Sequence, residues 1–264
     1  MLQQQTQSPG WRVLNRDVIK YIAMTAMLLN HIANIFLVPG TLWYEVLVDI
    51  GYFTAITMCY FLVEGYGYTH SKEKYGKRLF LFALLSQVPF NLALTEEGVL
   101  QFTGMNMIFT LFLCFMILYV REKVPKGRQT VCIWGLVAIS LCSDWALLAP
   151  IFTIWFADAA QSMSGAEEKG EKLCRKNLWP VFGKAMLLFG LISCAGNADI
   201  MPLWKNLLCS AGAVFGILLS GICIIYFYNG KRAKSHRTFS KWFFYLFYPI
   251  HLLVLGMLRV VLAA

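Results

Sequence analysis

Two histidines lie inside long apolar stretches of the sequence, where an ionisable side chain is costly and suggests a function. His31 follows Asn30 in the run LLNHIANIF, and His251 lies near the end of FFYLFYPIHLL. One nitrogen of a neutral imidazole is free to take a proton, which suits general base catalysis. A structural histidine, hydrogen-bonded to a neighbour, is the alternative at both positions. His31 and His251 are therefore candidate catalytic residues.

Other polar residues share helix faces with these histidines. Lys20 precedes His31 by eleven residues, so on one helix the two lie on the same face, about 16 Å apart. A cationic entrance followed by a deep imidazole suits a long substrate with an anionic head and a reactive tail. Tyr245 and Tyr248 are three residues apart, as are Tyr248 and His251, which places all three on one side of a helix.

Further polar residues interrupt the apolar stretches and are candidates to line a substrate site. They are Asn30, Asn34, Glu64, Gln87, Asn106, Asp144 and Tyr245. Glu64 has an alternative role as an ion-pair partner of Lys77 or Arg78, and Asp144 as a helix cap at the membrane interface. We find no phosphate-binding, dinucleotide-binding or nucleophile motif of a soluble enzyme in the sequence, and we expect no metal site.

The composition indicates that these residues belong to a membrane protein. Hydrophobic residues make up 58% of the 264 residues and charged residues only 14%, whereas about a quarter of an ordinary soluble domain is charged. The net charge of +9 does not indicate a nucleic-acid partner, because the basic residues are dispersed in short loops. The sequence therefore predicts an all-α, polytopic transmembrane helix bundle in contact with the lipid bilayer.

Nine apolar stretches are candidates for transmembrane helices, which need about 20 residues each. We predict them at 17–37, 42–66, 78–95, 105–120, 130–142, 144–160, 178–197, 203–228 and 239–263. The fifth is too short to cross a bilayer unaided, so it either extends into the flanking loop or pairs with the sixth as a re-entrant hairpin.

The distribution of basic residues supports nine spans, because cytoplasmic loops carry the excess of lysine and arginine. With this layout 21 of the 23 basic residues fall on one side, and only Lys205 and Arg259 fall on the other. The sequence therefore predicts a cytoplasmic N-terminus and a C-terminus outside.

The chain organisation is simple. We expect a polar N-terminal tail, residues 1–16, and a single membrane domain, residues 17–264, with its longest linker at 161–176. Gly212, Gly216 and Ser220 form a small-residue stripe, which we expect to pack within the bundle, a dimer contact being the alternative. The eight cysteines include no CxxC pair, which predicts buried apolar roles rather than disulfides.

Four stretches together resemble the TraX family, membrane proteins associated with N-acetylation of conjugative pilin. They are DVIKYIAMTAMLLNHIANIF, FLVEGYGYTHSKEKYGKRLFLFALLSQVPFNLAL, SDWALLAPIF and YNGKRAKSHRTFSKWFFYLFYPIHLL. They keep the family's order, and the last of them is the most specific. Two positions depart from the family pattern: Asn30 stands where an aspartate is expected, and 52–56 lack an expected Arg and Pro.

The resemblance implies an acyltransferase of the bacterial inner membrane that takes an acyl group, most simply acetyl, from an acyl-CoA thioester. Lys20, Lys74, Lys77 and Arg78 would hold the phosphates of this donor from the cytosol. His31 would act as general base, Tyr248 or Asn30 would stabilise the oxyanion, and His251 would orient the acceptor or share the base role. The acceptor would be a small membrane peptide such as pilin, or a lipid or sugar.

Two other classes of function compete with this interpretation. Buried His, Glu and Tyr residues beside a proline-broken helix would also serve a proton-linked transporter or channel. A non-catalytic assembly factor that docks a small membrane protein is the third hypothesis.

Overall fold

The computed structural model describes residues 11–96, 98–167, 178–199, 201–233 and 236–263. Most of the predicted polar tail, much of the 161–176 linker and several predicted loop charges lie outside these residues. These charges are Glu97, Lys169, Lys172, Arg175, Lys176 and Lys234.

The described residues form nine α-helices and no strand, which confirms the predicted all-α class. The helices are α1 (Arg16–Phe36), α2 (Leu42–Tyr68), α3 (Lys72–Leu94), α4 (Met107–Lys123), α5 (Lys126–Ile139), α6 (Leu148–Glu167), α7 (Trp179–Gly196), α8 (Leu203–Ile222) and α9 (Arg237–Ala263). A 3₁₀ turn, Ser140–Cys142, follows α5, and a π turn, Cys223–Phe227, extends α8.

Five of these helices are long and apolar enough to cross a membrane. They are α1, α2, α7, α9 and the combination of α8 with its π turn. Their number identifies a multi-pass membrane protein. The helices α3 to α6 do not meet the same criteria of length and composition, so the nine-span topology stays a prediction.

The first residue of a helix depends on side chains that cap it. A prediction from apolar stretches alone does not detect these side chains. Asn15 accepts the backbone N–H groups of Asp17 and Val18, each at 3.0 Å, and so caps α1. Ser71 caps α3 in the same way, which starts this helix at Lys72 rather than at the predicted residue 78. The charged first turns of α3 were missed because they are not apolar.

The small-residue stripe of α8 packs against α2 inside the bundle, as predicted. A Cβ atom on Gly216 would overlap the backbone oxygen of Asp49, and one on Gly212 would overlap its carboxylate. One helical turn further, the hydroxyls of Ser220 and Thr57 are 2.7 Å apart. The α2 and α8 backbones therefore run parallel and in close contact.

Contacts between helix ends show that consecutive helices alternate in direction. At one end of the bundle Arg16 pairs with Glu64, Tyr66 donates to Glu122 at 2.6 Å, and the indole of Trp179 donates to the hydroxyl of Tyr226 at 3.4 Å. At the opposite end the amide of Asn206 donates to the carbonyl of Cys194, and Met105 bridges to Ser143. Apart from Lys205 and Arg259, the described basic residues thus collect at one end, as the charge pattern predicts.

Helix α9 lies beside both α1 and α3 and runs parallel to them. The hydroxyls of Tyr21 and Ser240 are 3.1 Å apart near the start of α1 and α9. At the other end Arg259 donates to the carbonyls of Leu92, Gly98 and Val99, and so caps the end of α3. This parallel arrangement brings the histidines of α1 and α9 to the same depth.

Candidate active site

A cavity of about 740 Å³ lies among α1, α2, α3 and α9, and it is closed on one side by the start of α4 and the loop before α6. Its lining follows α1 from Arg16 to Asn34, which is almost the whole helix. Of the predicted site residues, the cavity brings together Lys20, Asn30, His31, Asn34, Arg78, Asp144, Tyr245 and Tyr248. One end is cationic, and the other is lined by neutral and acidic groups.

The two predicted histidines meet across the α1–α9 contact. Nδ1 of His31 lies 2.8 Å from Nε2 of His251, and Nδ1 of His251 lies 2.7 Å from the carbonyl oxygen of Phe247. Both side chains are buried, and only His31 lines the cavity. His251 therefore stands behind His31 rather than beside it.

The hydrogen bonds fix the tautomers of the neutral pair. A carbonyl oxygen only accepts, so Nδ1 of His251 carries a proton and its Nε2 accepts. His31 must then donate from Nδ1, which leaves its Nε2 unprotonated. Phe247 thus determines, through His251, which nitrogen of His31 is a base.

The ring of Tyr248 packs next to this pair, and its hydroxyl lies at the start of α4. Its ring centroid lies 6.2 Å from that of His31 and 5.7 Å from that of His251. The backbone N–H of Met107 donates to its oxygen at 3.3 Å, so the hydroxyl proton remains available for another acceptor.

Two asparagines continue the polar surface towards the end of α1. The amide of Asn30 donates to the carbonyl of Val48 at 3.2 Å, and that of Asn34 donates to both oxygens of Asn30. The hydroxyl of Tyr44 donates to the side-chain oxygen of Asn34 at 3.3 Å. Only one of the two amide protons of Asn30 is used in these bonds, so the other can donate.

The loop before α6 contributes Asp144 and Trp145 to the cavity. Trp145 and Leu147 have φ angles of 57° and 60°, which is unusual for bulky residues and marks a strained turn. The indole of Trp145 stacks on Phe189 with centroids 5.4 Å apart, and its edge contacts Tyr52. Sequence reasoning noted the run SDW but missed the tryptophan, whose role depends on this turn.

The cationic end combines predicted and unpredicted residues. The ammonium of Lys20 lies over the rings of Phe61 and Phe244, at 5.7 and 5.1 Å from their centroids. Nε of Arg78 is buried and has no hydrogen-bond partner among the described residues. Arg232 and Lys241 complete this end. From the sequence alone, Arg232 and Lys241 are treated only as part of the loop charge. The run of basic residues before the ninth predicted helix could have indicated that they line the site.

Glu64, predicted to line the site with an ion pair to Lys77 or Arg78 as the alternative, pairs with Arg16 instead. The α1–α2 contact brings Arg16 within hydrogen-bond reach of Glu64, and the hydroxyl of Tyr228 donates to both carboxylate oxygens, at 2.8 and 3.0 Å. Glu64 is therefore not among the residues that line the cavity.

Hydrogen bonds from Arg16 and Asp17 at the start of α1 also hold the α8–α9 loop in place. The N–H of Arg16 donates to the carbonyl of Lys231 at 2.9 Å, and the carboxylate of Asp17 accepts the N–H of Ala233 at 2.8 Å. These bonds hold Arg232 at the cationic end of the cavity.

Four other predicted site residues lie away from the cavity lining. Asn106 caps α4 and donates to the carbonyl of Ala83 at 2.7 Å. Gln87 donates to the carbonyl of Gly104 at 2.7 Å, so these two amides hold the α3–α4 connection together. Lys74 and Lys77 are exposed on the outer surface of α3.

Comparison with known proteins identifies the family. The model of the family described as TraX protein matches residues 15–259. A probable fimbrial assembly protein FimC of serogroup H1 from Dichelobacter nodosus is 30% identical over 249 residues, which cover 90% of this chain and 92% of that protein. No solved structure matches the chain. The match over nearly the whole membrane domain, together with this relative, shows that the chain belongs to the TraX family.

Proposed function

We propose that the protein is a membrane-embedded acyltransferase that moves an acyl group, the acetyl group being our preferred one, from an acyl-CoA thioester to an amine or hydroxyl acceptor. The observation that carries this proposal is the hydrogen-bond chain from Phe247 through His251 to His31. It leaves Nε2 of His31 as a base in a cavity whose other end is cationic.

The cationic end fits the phosphates of an acyl-CoA donor. Lys20, Arg78, Arg232 and Lys241 line it, and the buried Nε of Arg78 has no hydrogen-bond partner within the described part of the chain. Arg16 is already neutralised by Glu64 and contributes less. When bound, the donor supplies an activated acyl group as a thioester. The family resemblance also predicts that Lys74 and Lys77 hold these phosphates, but both residues lie outside this cavity.

The residues around His31 can accept the proton released during acyl transfer and stabilise the negative charge that develops on the carbonyl oxygen. Nε2 of His31 takes the proton that the acceptor loses on attack, and can return it to the leaving sulfur. The products are an acylated acceptor and a free thiol. The free protons of Tyr248 and Asn30 can stabilise the developing oxyanion. His251 holds the ring of His31 in the basic tautomer.

The acceptor end favours an amine. Asp144 provides a carboxylate and Trp145 and Tyr52 provide aromatic walls, all three lining the cavity, and such groups attract an ammonium. Because the relative from Dichelobacter nodosus is named a fimbrial assembly protein, a small membrane peptide such as a pilin subunit is our preferred acceptor. A lipid or a sugar is the alternative.

The proposed topology supports access to a cytosolic donor. We infer that all nine helices cross the bacterial inner membrane, with the N-terminus in the cytoplasm and the C-terminus outside. The alternating helix directions and the collection of basic residues at one end support this arrangement. The cationic end of the cavity then faces the cytosol.

The direct test is transfer from labelled acetyl-CoA in vesicles that contain the purified protein and a pilin-derived peptide with a free N-terminal amine. We expect labelled peptide and stoichiometric release of thiol. The same peptide with a blocked amine serves as control. Binding of the peptide without transfer to any amine, hydroxyl, lipid or sugar would instead indicate a non-catalytic assembly factor, and solute flux would indicate a transporter.

A further inference from the structure

The first turns of α3 carry two lysines for which the active-site cavity provides no role. Lys74 and Lys77 are exposed, and since they are three residues apart they are neighbours on the helix surface. No ion pair involves either of them in the part of the chain that the structure describes. Lys72 differs from them, because it pairs with Glu122 and lies 4.6 Å from the centroid of the Tyr66 ring.

A second cavity, of about 300 Å³, lies between α3 and α4 and is lined by Lys77, while Lys74 lies one turn before Lys77 on α3, outside the lining. Its charged residues are Lys72, Glu73 and Lys77, all in the first turns of α3. The remaining lining is largely apolar, chiefly Phe80, Phe112 and Met116. The rings of Phe80 and Phe112 contact each other with centroids 5.2 Å apart. Phe80 is 43% exposed, so the groove is open at the outer surface of the bundle.

The order of groups along the groove matches the order of groups in a phospholipid. The lysines lie in the first turns of α3, at the end of the bundle where the described basic residues collect, and the aromatic side chains follow deeper along the helices. Lysines just outside an apolar groove attract an anionic headgroup, while the groove accepts an acyl chain.

We propose that this groove binds one anionic phospholipid, with its phosphate at Lys74 and Lys77 and an acyl chain against Phe80 and Phe112. Lys72 is neutralised by Glu122, and Lys74 and Lys77 together outweigh the single carboxylate of Glu73. The remaining net positive charge favours an anionic over a zwitterionic headgroup. The site is separate from the active-site cavity and does not depend on the proposed acyl transfer.

Native mass spectrometry of the full chain in detergent doped with phosphatidylglycerol or phosphatidylcholine tests the proposal. We expect one retained phosphatidylglycerol and clearly weaker retention of phosphatidylcholine. The double variant Lys74→Gln with Lys77→Gln should weaken retention of phosphatidylglycerol by about fivefold for each lysine, from the attraction of a basic residue to an anionic surface. Equal retention of the two lipids would overturn the proposal.

Matched variants separate the groove from general surface charge. Lys126→Gln with Lys184→Gln also removes two exposed lysines, away from the groove, and should leave retention unchanged. Phe80→Ala should weaken retention of both lipids while keeping the preference for the anionic one. A loss with the control pair equal to that with the groove pair would show non-specific attraction and contradict the site.

Discussion

At the scale of single residues, the two histidines have different tasks although they differ little in burial. His31 lines the cavity and keeps a free nitrogen, whereas His251 uses both of its nitrogens, one towards His31 and one towards the carbonyl of Phe247. His251 is therefore a positioning residue in this account. The prediction that it shares the base role is replaced by one that it orients the base.

His251→Leu removes the acceptor of the Nδ1 proton of His31, so the ring can turn or change tautomer. We expect the rate constant of transfer to fall at least tenfold with little change in KM for the donor, because orientation and not binding is lost. His251→Gln keeps an oxygen that can accept this proton and should recover part of the rate. Equal rates for the two variants would contradict the positioning role.

Lys20→Met removes a cation from the donor end while keeping the length of the side chain. A hydrogen bond to a charged group contributes about 1.5–3 kcal/mol, so we expect KM for acetyl-CoA to rise about tenfold or more. The matched control is Lys74→Met, since Lys74 is exposed outside the cavity. Steady-state kinetics over a range of donor concentrations measures both. If Lys74→Met raised KM as much as Lys20→Met, Lys74 would also bind the donor, which would contradict this description of the donor site.

Much of the site could be predicted because ionisable groups in apolar helices are few. Helical spacing placed Lys20 and His31 on one face, and both line the cavity. Spacing within one helix does not show which helices become neighbours. The contact between His31 and His251 therefore could not be predicted from the sequence. The same limit applies to Glu64, whose partner Arg16 belongs to another helix.

At the scale of helices, the close contact of α2 with α8 supports the wall of the cavity that contains Tyr52. Gly216 allows this approach, because the backbone oxygen of Asp49 and the side chain of Tyr52 occupy the place of a Cβ atom. The sequence predicted the stripe and its use within the bundle. It did not identify α2 as the partner, since small residues fit any helix.

Gly216→Ala should force α8 away from α2. Overpacking of a close contact costs typically 1–3 kcal/mol, so we expect the apparent Tm in detergent to fall by several degrees. Gly135→Ala, in the middle of α5, is the control, since a Cβ atom there would meet nothing within 4 Å. It should leave the Tm unchanged or raise it slightly, because alanine favours helix. Equal Tm values for the two variants would contradict the close contact of α2 and α8 at Gly216.

At the scale of the whole molecule, the bundle has a basic end and an end poor in basic residues, and the cavity extends along α1 between them. Apolar stretches and loop charges were sufficient to predict nine helices that alternate in direction. Among α3 to α6, α4 and α5 are short, with 17 and 14 residues, whereas α3 and α6 are long but less apolar than the five spanning candidates.

Cysteine accessibility tests this orientation. Cys142 is exposed at the end of the 3₁₀ turn after α5, and with the other seven cysteines replaced it becomes a single reporter. We expect an impermeant maleimide to label it in intact cells. A cysteine at position 126, at the start of α5, should react only after permeabilisation. Labelling of Cys142 from the cytoplasmic side alone would contradict nine spans and the proposed access of the donor.

The central claim is that His31 is the base of an acyl transfer inside this cavity. The most direct measurement compares the single-turnover rate of labelled acetyl transfer for the unaltered protein, His31→Ala and His70→Ala, with folding checked by Tm. His70 is exposed and outside the cavity, so it is the matched histidine. We expect His31→Ala to lower the rate about 10²–10⁴-fold and His70→Ala to have no effect. Full transfer by folded His31→Ala protein would contradict the claim.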